Sequence, residues 1–124
     1  MLISEVSKTM DISADTLRYY EKIGLIPDVK RNKSGIRDYS EDDLMWIQFA
    51  KCMRSAGLSI EVLTEYLKLF KEGDSTLEVR KDILVEERSK LINKISDIQS
   101  TLERLDYKIS NYEKKIVNKN KKVG

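Results

Sequence analysis

The densest chemistry in this sequence is Arg18-Tyr19-Tyr20, a planar cation and two phenolic hydroxyls on adjoining faces of one helix. Such groups dock onto phosphate oxygens and fix a position without reading bases. They stand at the head of LRYYEKIGLIPDVKRNKSGIRDY, Leu17 to Tyr39. From Arg18 to Arg37 the cations are Arg18, Lys22, Lys30, Arg31, Lys33 and Arg37, against only Glu21 and Asp28, although the whole chain carries a net charge of +2. The positive charge is therefore local. One basic amphipathic helix alone would read as tyrosines plugging a small core with lysines facing water, so the surroundings decide.

Other chemistry is sparse. The chain has no histidine and a single cysteine, Cys52, which removes the commonest general base and the commonest transition-metal ligand and forbids an internal disulfide. The glycines are scattered singly, so no loop cradles a phosphate, and the carboxylates fall on solvated helix faces. No catalytic residue, cofactor or metal ligand set is expected. Cys52 admits two readings. It borders the apolar face of its helix as a small buried hydrophobe, or Lys51 and Arg54 favour its thiolate for reaction with an electrophile or oxidant.

With 124 residues, 40% hydrophobic and 35% charged, the chain is one small domain, or one with an extension. No apolar run approaches the ~18 residues that a membrane helix needs. MLISEVSK lacks the pattern of a signal peptide, and a cytoplasmic location is expected. One proline and five glycines leave few breaks, so long helices follow.

The elements that must position the basic stretch are legible in order. Ile3, Val6 and Met10 line one face of a short helix with a cap-like Ser4, and Asp11-Ile12 makes a tight turn. Ser13 caps the next helix, which carries Thr16 to Ile23. Two short helices around a minimal turn form a helix-turn-helix pattern. Gly24 and Pro27 stop the second helix. Leu25-Ile26 and Ile36 to Tyr39 then have the flanks of two strands around a basic turn, Arg31 to Gly35. Ser40-Glu41-Asp42-Asp43 starts a helix to about Ser55, where Met45, Trp46, Phe49, Met53 and Ala56 predict the buried face, with Trp46 and Phe49 as its anchors. Gly57 ends it, Ser59 caps the next helix to about Phe70, and Gly73 precedes the last element.

From Leu77 the apolar residues recur at sevens: Leu84, Leu91, Ile98, Leu105 and Tyr112, with Ile95, Leu102, Ile109 and Ile116 interleaved. Lys81 and Arg88 interrupt them. A heptad seam over more than three repeats predicts a coiled coil. A helix from Thr76 to about Val117 would be roughly 60 Å long, and a second copy is its natural cover. The expected division is 1–72, the head; 73–117, a dimerisation helix carrying Leu84, Leu91, Ile95, Ile98, Leu102, Leu105, Ile109 and Tyr112; and 118–124, a frayed basic tail.

Together, Thr16-Leu17-Arg18-Tyr19-Tyr20-Glu21, Gly24-Leu25-Ile26, Arg31 and Gly35-Ile36-Arg37-Asp38-Tyr39, with Ser40 opening a helix, resemble the MerR family of bacterial transcription regulators. The resemblance runs by motif from residue 1 to about 70 and beyond that by architecture. It implies a mainly α fold: a winged helix-turn-helix with a small β-hairpin wing and a long C-terminal coiled-coil helix, paired antiparallel. The implied DNA contacts are Ser13, Thr16 and Arg18 on the recognition helix and Tyr19, Tyr20, Lys33, Arg37 and Tyr39 on the backbone. The implied partners are double-stranded promoter DNA, a second copy and RNA polymerase, with no membrane. Also implied is a pseudo-palindromic site with an over-long spacer that the bound dimer bends and untwists. Metal-sensing members carry cysteines near the start of the long helix, and Gly73 to Asp82 has none. A branch responsive to aldehydes and related electrophiles is similar in its short length and lone cysteine, which makes Cys52 the candidate sensor. The competing expectations are an effector-independent regulator, a coiled-coil module that ignores DNA, and, remotely, an enzyme.

Overall fold

The computed structural model describes residues 1–123, with side chains through Lys121. Five helices follow in order: α1 (Ile3–Met10), α2 (Ala14–Ile23), α3 (Glu41–Ser55), α4 (Ile60–Glu72) and, after a 3-10 turn at Asp74–Thr76, α5 (Leu77–Val123). By its contacts the chain divides into two units, Met1–Val85 and Glu86–Gly124.

In the first unit, α1 and α2 meet at a sharp turn. Asp11 sits in the left-handed region at φ 51°, a conformation that aspartate tolerates better than most residues, and the Ile12 N–H closes onto the Ser7 carbonyl at 3.1 Å. The cap of α1 is Leu2 rather than Ser4, which lies inside the helix. Ser13 caps α2 by accepting the Thr16 N–H at 3.0 Å. Gly24, at φ 82°, ends α2 in a left-handed conformation that costs glycine little, and the Leu25 N–H returns to the Tyr20 carbonyl at 2.9 Å.

Val6, Leu17, Ile26, Val29, Tyr39, Ile47 and Ala50 form one buried cluster, with Ile3, Met10, Ile12, Tyr20, Leu44 and Trp46 packed around it. This corrects two expectations. Leu25 and Ile26 are buried core residues after a helix cap, not a strand. Along α3, Ile47 and Ala50 are the buried residues; Trp46 and Phe49 are only half-buried, and Met45 is 71% exposed. The helix has two apolar faces, and α1 and α2 cover the one carrying Ile47.

The second face of α3 meets α4 in an aromatic group. Trp46 lies 4.9 Å from Phe70 and 6.2 Å from Phe49, both edge to face, and Phe49 stands 5.6 Å from Tyr66. With Asp42 and Met45 these rings line an open groove of about 370 Å³. Arg80, in the first turn of α5, fastens this corner: its guanidinium stands 5.2 Å from the Phe70 ring centre, Nε donates to Thr76 Oγ1 at 2.9 Å and Nη2 donates to the Gly73 carbonyl at 3.2 Å.

The seam residues of α5 lie open. Leu84, Ile95, Ile98, Leu102, Leu105, Ile109, Tyr112 and Ile116 are all exposed, and Leu91 is half-buried. The helix continues to Val123 instead of fraying after Val117. Asn118 to Lys122 contains no proline or glycine, and lysines near a helix C-terminus complement its dipole. Of the expected tail, Gly124 lies outside the described residues. Among the described residues no helix is long and apolar enough to cross a membrane.

Candidate nucleic-acid interface

Asp15, Arg18, Tyr19 and Lys22 occupy the exposed face of α2 at the spacing that puts residues on one side of a helix. Leu17 on the opposite side is fully buried. Arg18 is exposed, with Nη1 held 2.9 Å from Asp15. Such an exposed pair contributes little, so the guanidinium is available to a phosphate or a base edge. Tyr19 is 49% exposed, whereas Tyr20 is half-buried against the core. Ser13 and Thr16 hold each other through a 2.7 Å bond between hydroxyls, which organises the start of α2.

The hairpin after Pro27 is narrower than expected. Its only ladder element among the described residues is an antiparallel bridge between Arg31 and Arg37, with Asn32 N–H donating to the Ile36 carbonyl and Asp38 N–H to the Lys30 carbonyl, each at 2.7 Å. Residues 36–38 therefore run beside Lys30 to Asn32, not beside Leu25-Ile26, and the Tyr39 N–H donates to the Met1 carbonyl at 2.8 Å. The Asn32 carboxamide oxygen orders the tip by accepting the N–H of Ser34 at 2.9 Å and of Ile36 at 3.1 Å, the local closure in which asparagine excels. Lys30, Arg31 and Lys33 are exposed on this hairpin.

Glu21 joins the helix to the hairpin. One carboxylate oxygen accepts Arg37 Nε at 2.7 Å and the other accepts the Val29 N–H at 3.2 Å. Both side chains are largely covered, 14% exposed for Glu21 and 23% for Arg37. The sequence expectation made Arg37 a phosphate ligand and gave Glu21 no role. Of the two acids inside the basic stretch, Glu21 and Asp28, the one on the helix marks a clamp.

Tyr39 is also corrected. Its ring is 3% exposed within the core, and its hydroxyl has no hydrogen-bond partner among the described residues, so it is not placed to grip a DNA backbone. Burial raises its pKa above the ordinary tyrosine value, against a lowering influence from Arg37. A raised value means that the folded state favours the protonated ring. Its contribution to stability is complete below pH about 10 and is lost as pH climbs through the raised folded value. We expect Tyr39→Phe to be as stable as the parent, or up to about 1 kcal/mol more stable, at neutral pH, and to lose less stability in alkaline denaturation. A drop at neutral pH would show that the hydroxyl is bonded.

Cys52 is exposed on α3, so the reading as a buried hydrophobe fails. The neighbouring Lys51 ammonium donates to the Met10 carbonyl at the end of α1. Arg54 Nη1 donates to the Leu58 carbonyl at 2.7 Å, closing the turn between α3 and α4. No group of three or more metal-binding side chains occurs among the described residues.

A helix-turn-helix that presents its second helix outward, clamped to a basic hairpin, defines a winged helix-turn-helix protein. The family model for the MerR HTH family regulatory protein matches residues 1–69. The HTH-type transcriptional regulator AdhR of Bacillus subtilis (strain 168) is 62% identical over 92 residues, covering 74% of this chain and 66% of that protein. The crystal structure of a MerR family transcriptional regulator from Listeria monocytogenes superposes with a TM-score of 0.94 at 48% identity, covering 99% of this chain and 93% of that one. HiNmlR, a MerR family regulator lacking the sensor domain and crystallised on promoter DNA, gives a TM-score of 0.80 at 32% identity, covering 91% and 90% of the two chains. The chain belongs to the MerR family of transcriptional regulators.

Proposed function

We propose that this chain is a cytoplasmic, non-enzymatic, sequence-specific DNA-binding regulator that acts as a homodimer on promoter DNA by distorting the spacer in concert with RNA polymerase. Residues 1–72 would bind DNA and 73–117 would dimerise. The observation that carries this is the clamped pair of α2 and hairpin, which presents Arg18, Tyr19 and Lys22 together with Lys30, Arg31 and Lys33. The DNA-bound state of HiNmlR supports it. Arg18 and Thr16 reach toward base edges, while Tyr19 and Lys33 meet phosphates, with Ser13, Tyr20 and Arg37 holding them in place. Two such heads at fixed separation favour a DNA already bent to fit, which is how deformation becomes a readable energy.

Arg18→Ala should weaken binding to promoter duplex and lower the steepness of its salt dependence by about one phosphate contact. Titration by fluorescence anisotropy at several salt concentrations checks this. Affinity indifferent to salt would leave only the coiled-coil module.

The effector reading rests on Cys52. Its exposed thiol adjoins Lys51, whose bond to Met10 ties α3 to the helix-turn-helix, so an adduct there would press on the DNA-binding head. An aldehyde or another thiol-reactive compound should change transcription from the target promoter in the parent and leave the Cys52→Ala protein unmoved. An equal response in both would make the regulator independent of this thiol.

A further inference from the structure

We propose that Arg80 is a positioning residue for promoter distortion: with Thr76 and Gly73 it locks the direction in which α5 leaves α4, so that a bound duplex must yield to the protein. This rests on the DNA-distorting reading above and names the joint on which that reading depends.

The start of α5 is held to the head by polar groups. Beyond Leu67, Thr76 and Arg80 are the only buried residues among those described, at 7% and 9% exposure, while Leu77 and Val79 beside them stay open. The Thr76 hydroxyl lies 2.7 Å from the Leu69 carbonyl and 2.8 Å from that of Gly73, and its oxygen accepts Arg80 Nε at 2.9 Å. Arg80 Nη2 donates to the same Gly73 carbonyl at 3.2 Å, and the guanidinium stands 5.2 Å from the centre of the Phe70 ring. One knot thus ties the end of α4, the glycine and the first turn of α5.

Gly73 explains why a lock is needed there. At φ 94° and ψ −163° it occupies a region that glycine alone enters readily, and a Cβ placed on it would meet nothing within 4 Å. Backbone rotation, not space, requires the glycine. Such a residue is the freest joint a chain can have, and Thr76 and Arg80 remove that freedom by holding its carbonyl.

The choice of arginine argues against simple stabilisation. No carboxylate pairs with this guanidinium among the described residues, and a well-packed apolar side chain would fill the place without the cost of burying a charge. Apolar contact is non-directional, whereas hydrogen bonds weaken steeply away from their preferred angle. What the arginine adds is direction. Arg80 also lies outside the seven-residue series of α5, so its loss removes no seam residue. A head on a loose joint would follow an undeformed duplex; a head on a locked joint imposes the deformation.

The test uses full-length protein and the promoter duplex that the parent protects from nuclease, with 2-aminopurine, a base that brightens when unstacked, at the centre of the spacer. Arg80→Met keeps much of the bulk and the helix propensity of the side chain while removing its donors. Gly73→Ala opens the same joint from the backbone, with Arg80 in place. Both variants should sediment as the parent does, bind the duplex at least as tightly, and lose most of the brightening that the parent produces. Brightening equal to the parent's in both would overturn the proposal, and so would affinity and brightening falling together, which is what a purely structural role gives. A parent that binds without brightening the base would remove the distortion reading itself, before any variant is compared. A parent that protects no segment would remove DNA binding.

Discussion

Leu102→Asp is expected to sediment as a monomer at micromolar concentration while retaining its helical circular dichroism in the head. Leu102 is 48% exposed in the single chain and has no cover there. Covering a leucine stabilises by about 1.5–3 kcal/mol, and two copies lie in each dimer, so the substitution should weaken association by at least about a hundredfold before the cost of confining the carboxylates. Tyr107→Asp is the control. That ring is 71% exposed off the seam, and its loss should leave the dimer intact. A Leu102→Asp protein that still sediments as a dimer would locate the interface elsewhere. Affinity for a two-site promoter should fall with dimerisation, because the second head is no longer delivered at high local concentration.

Glu21→Ala is the second large effect. It removes the acceptor of Arg37 Nε and of the Val29 N–H together, leaving a largely covered guanidinium unpaired. Breaking a fully buried pair costs about 3–5 kcal/mol; with both groups partly reached by solvent, about 2 kcal/mol of stability is expected. The hairpin would then be free to leave its place beside α2. We expect promoter affinity to drop at least tenfold at temperatures where the variant remains folded, whereas Asp15→Ala, which removes only the exposed partner of Arg18, should change stability little. Urea unfolding followed by binding below the transition separates the two losses. Unchanged affinity in folded Glu21→Ala would mean that the clamp does not matter to binding.

Those two residues also mark where the sequence is legible and where it is not. Helix boundaries were readable because they depend on local chemistry. Ser13, Ser40 and Ser59 each cap the helix they precede, accepting the N–H of Thr16, Asp43 and Val62. The open seam of α5 was readable because seven-residue periodicity needs only one helix. Choosing between the two apolar faces of α3 was a different problem. Ile47 and Trp46 are adjacent and equally apolar by pattern, and only the docking of α1 and α2 selects Ile47 for the core. Tyr39 and Arg37 depart from expectation for a related reason. A tyrosine or arginine in a basic loop reads as a ligand for phosphate until the fold turns the ring inward, or a distant acid takes the guanidinium. The hairpin is legible from its composition, but its pairing depends on Asn32 closing the tip, which sets Lys30 to Asn32 rather than Leu25-Ile26 beside Ile36 to Asp38.

The open aromatic groove has a practical consequence. Trp46 is the chain's single tryptophan, and it stands half-buried in that groove among Phe49, Tyr66 and Phe70. Native indole emission therefore samples one corner of the head without any introduced dye. A molecule entering the groove should shift the emission maximum to shorter wavelength, while hydrogen-deuterium exchange at α2 stays unchanged.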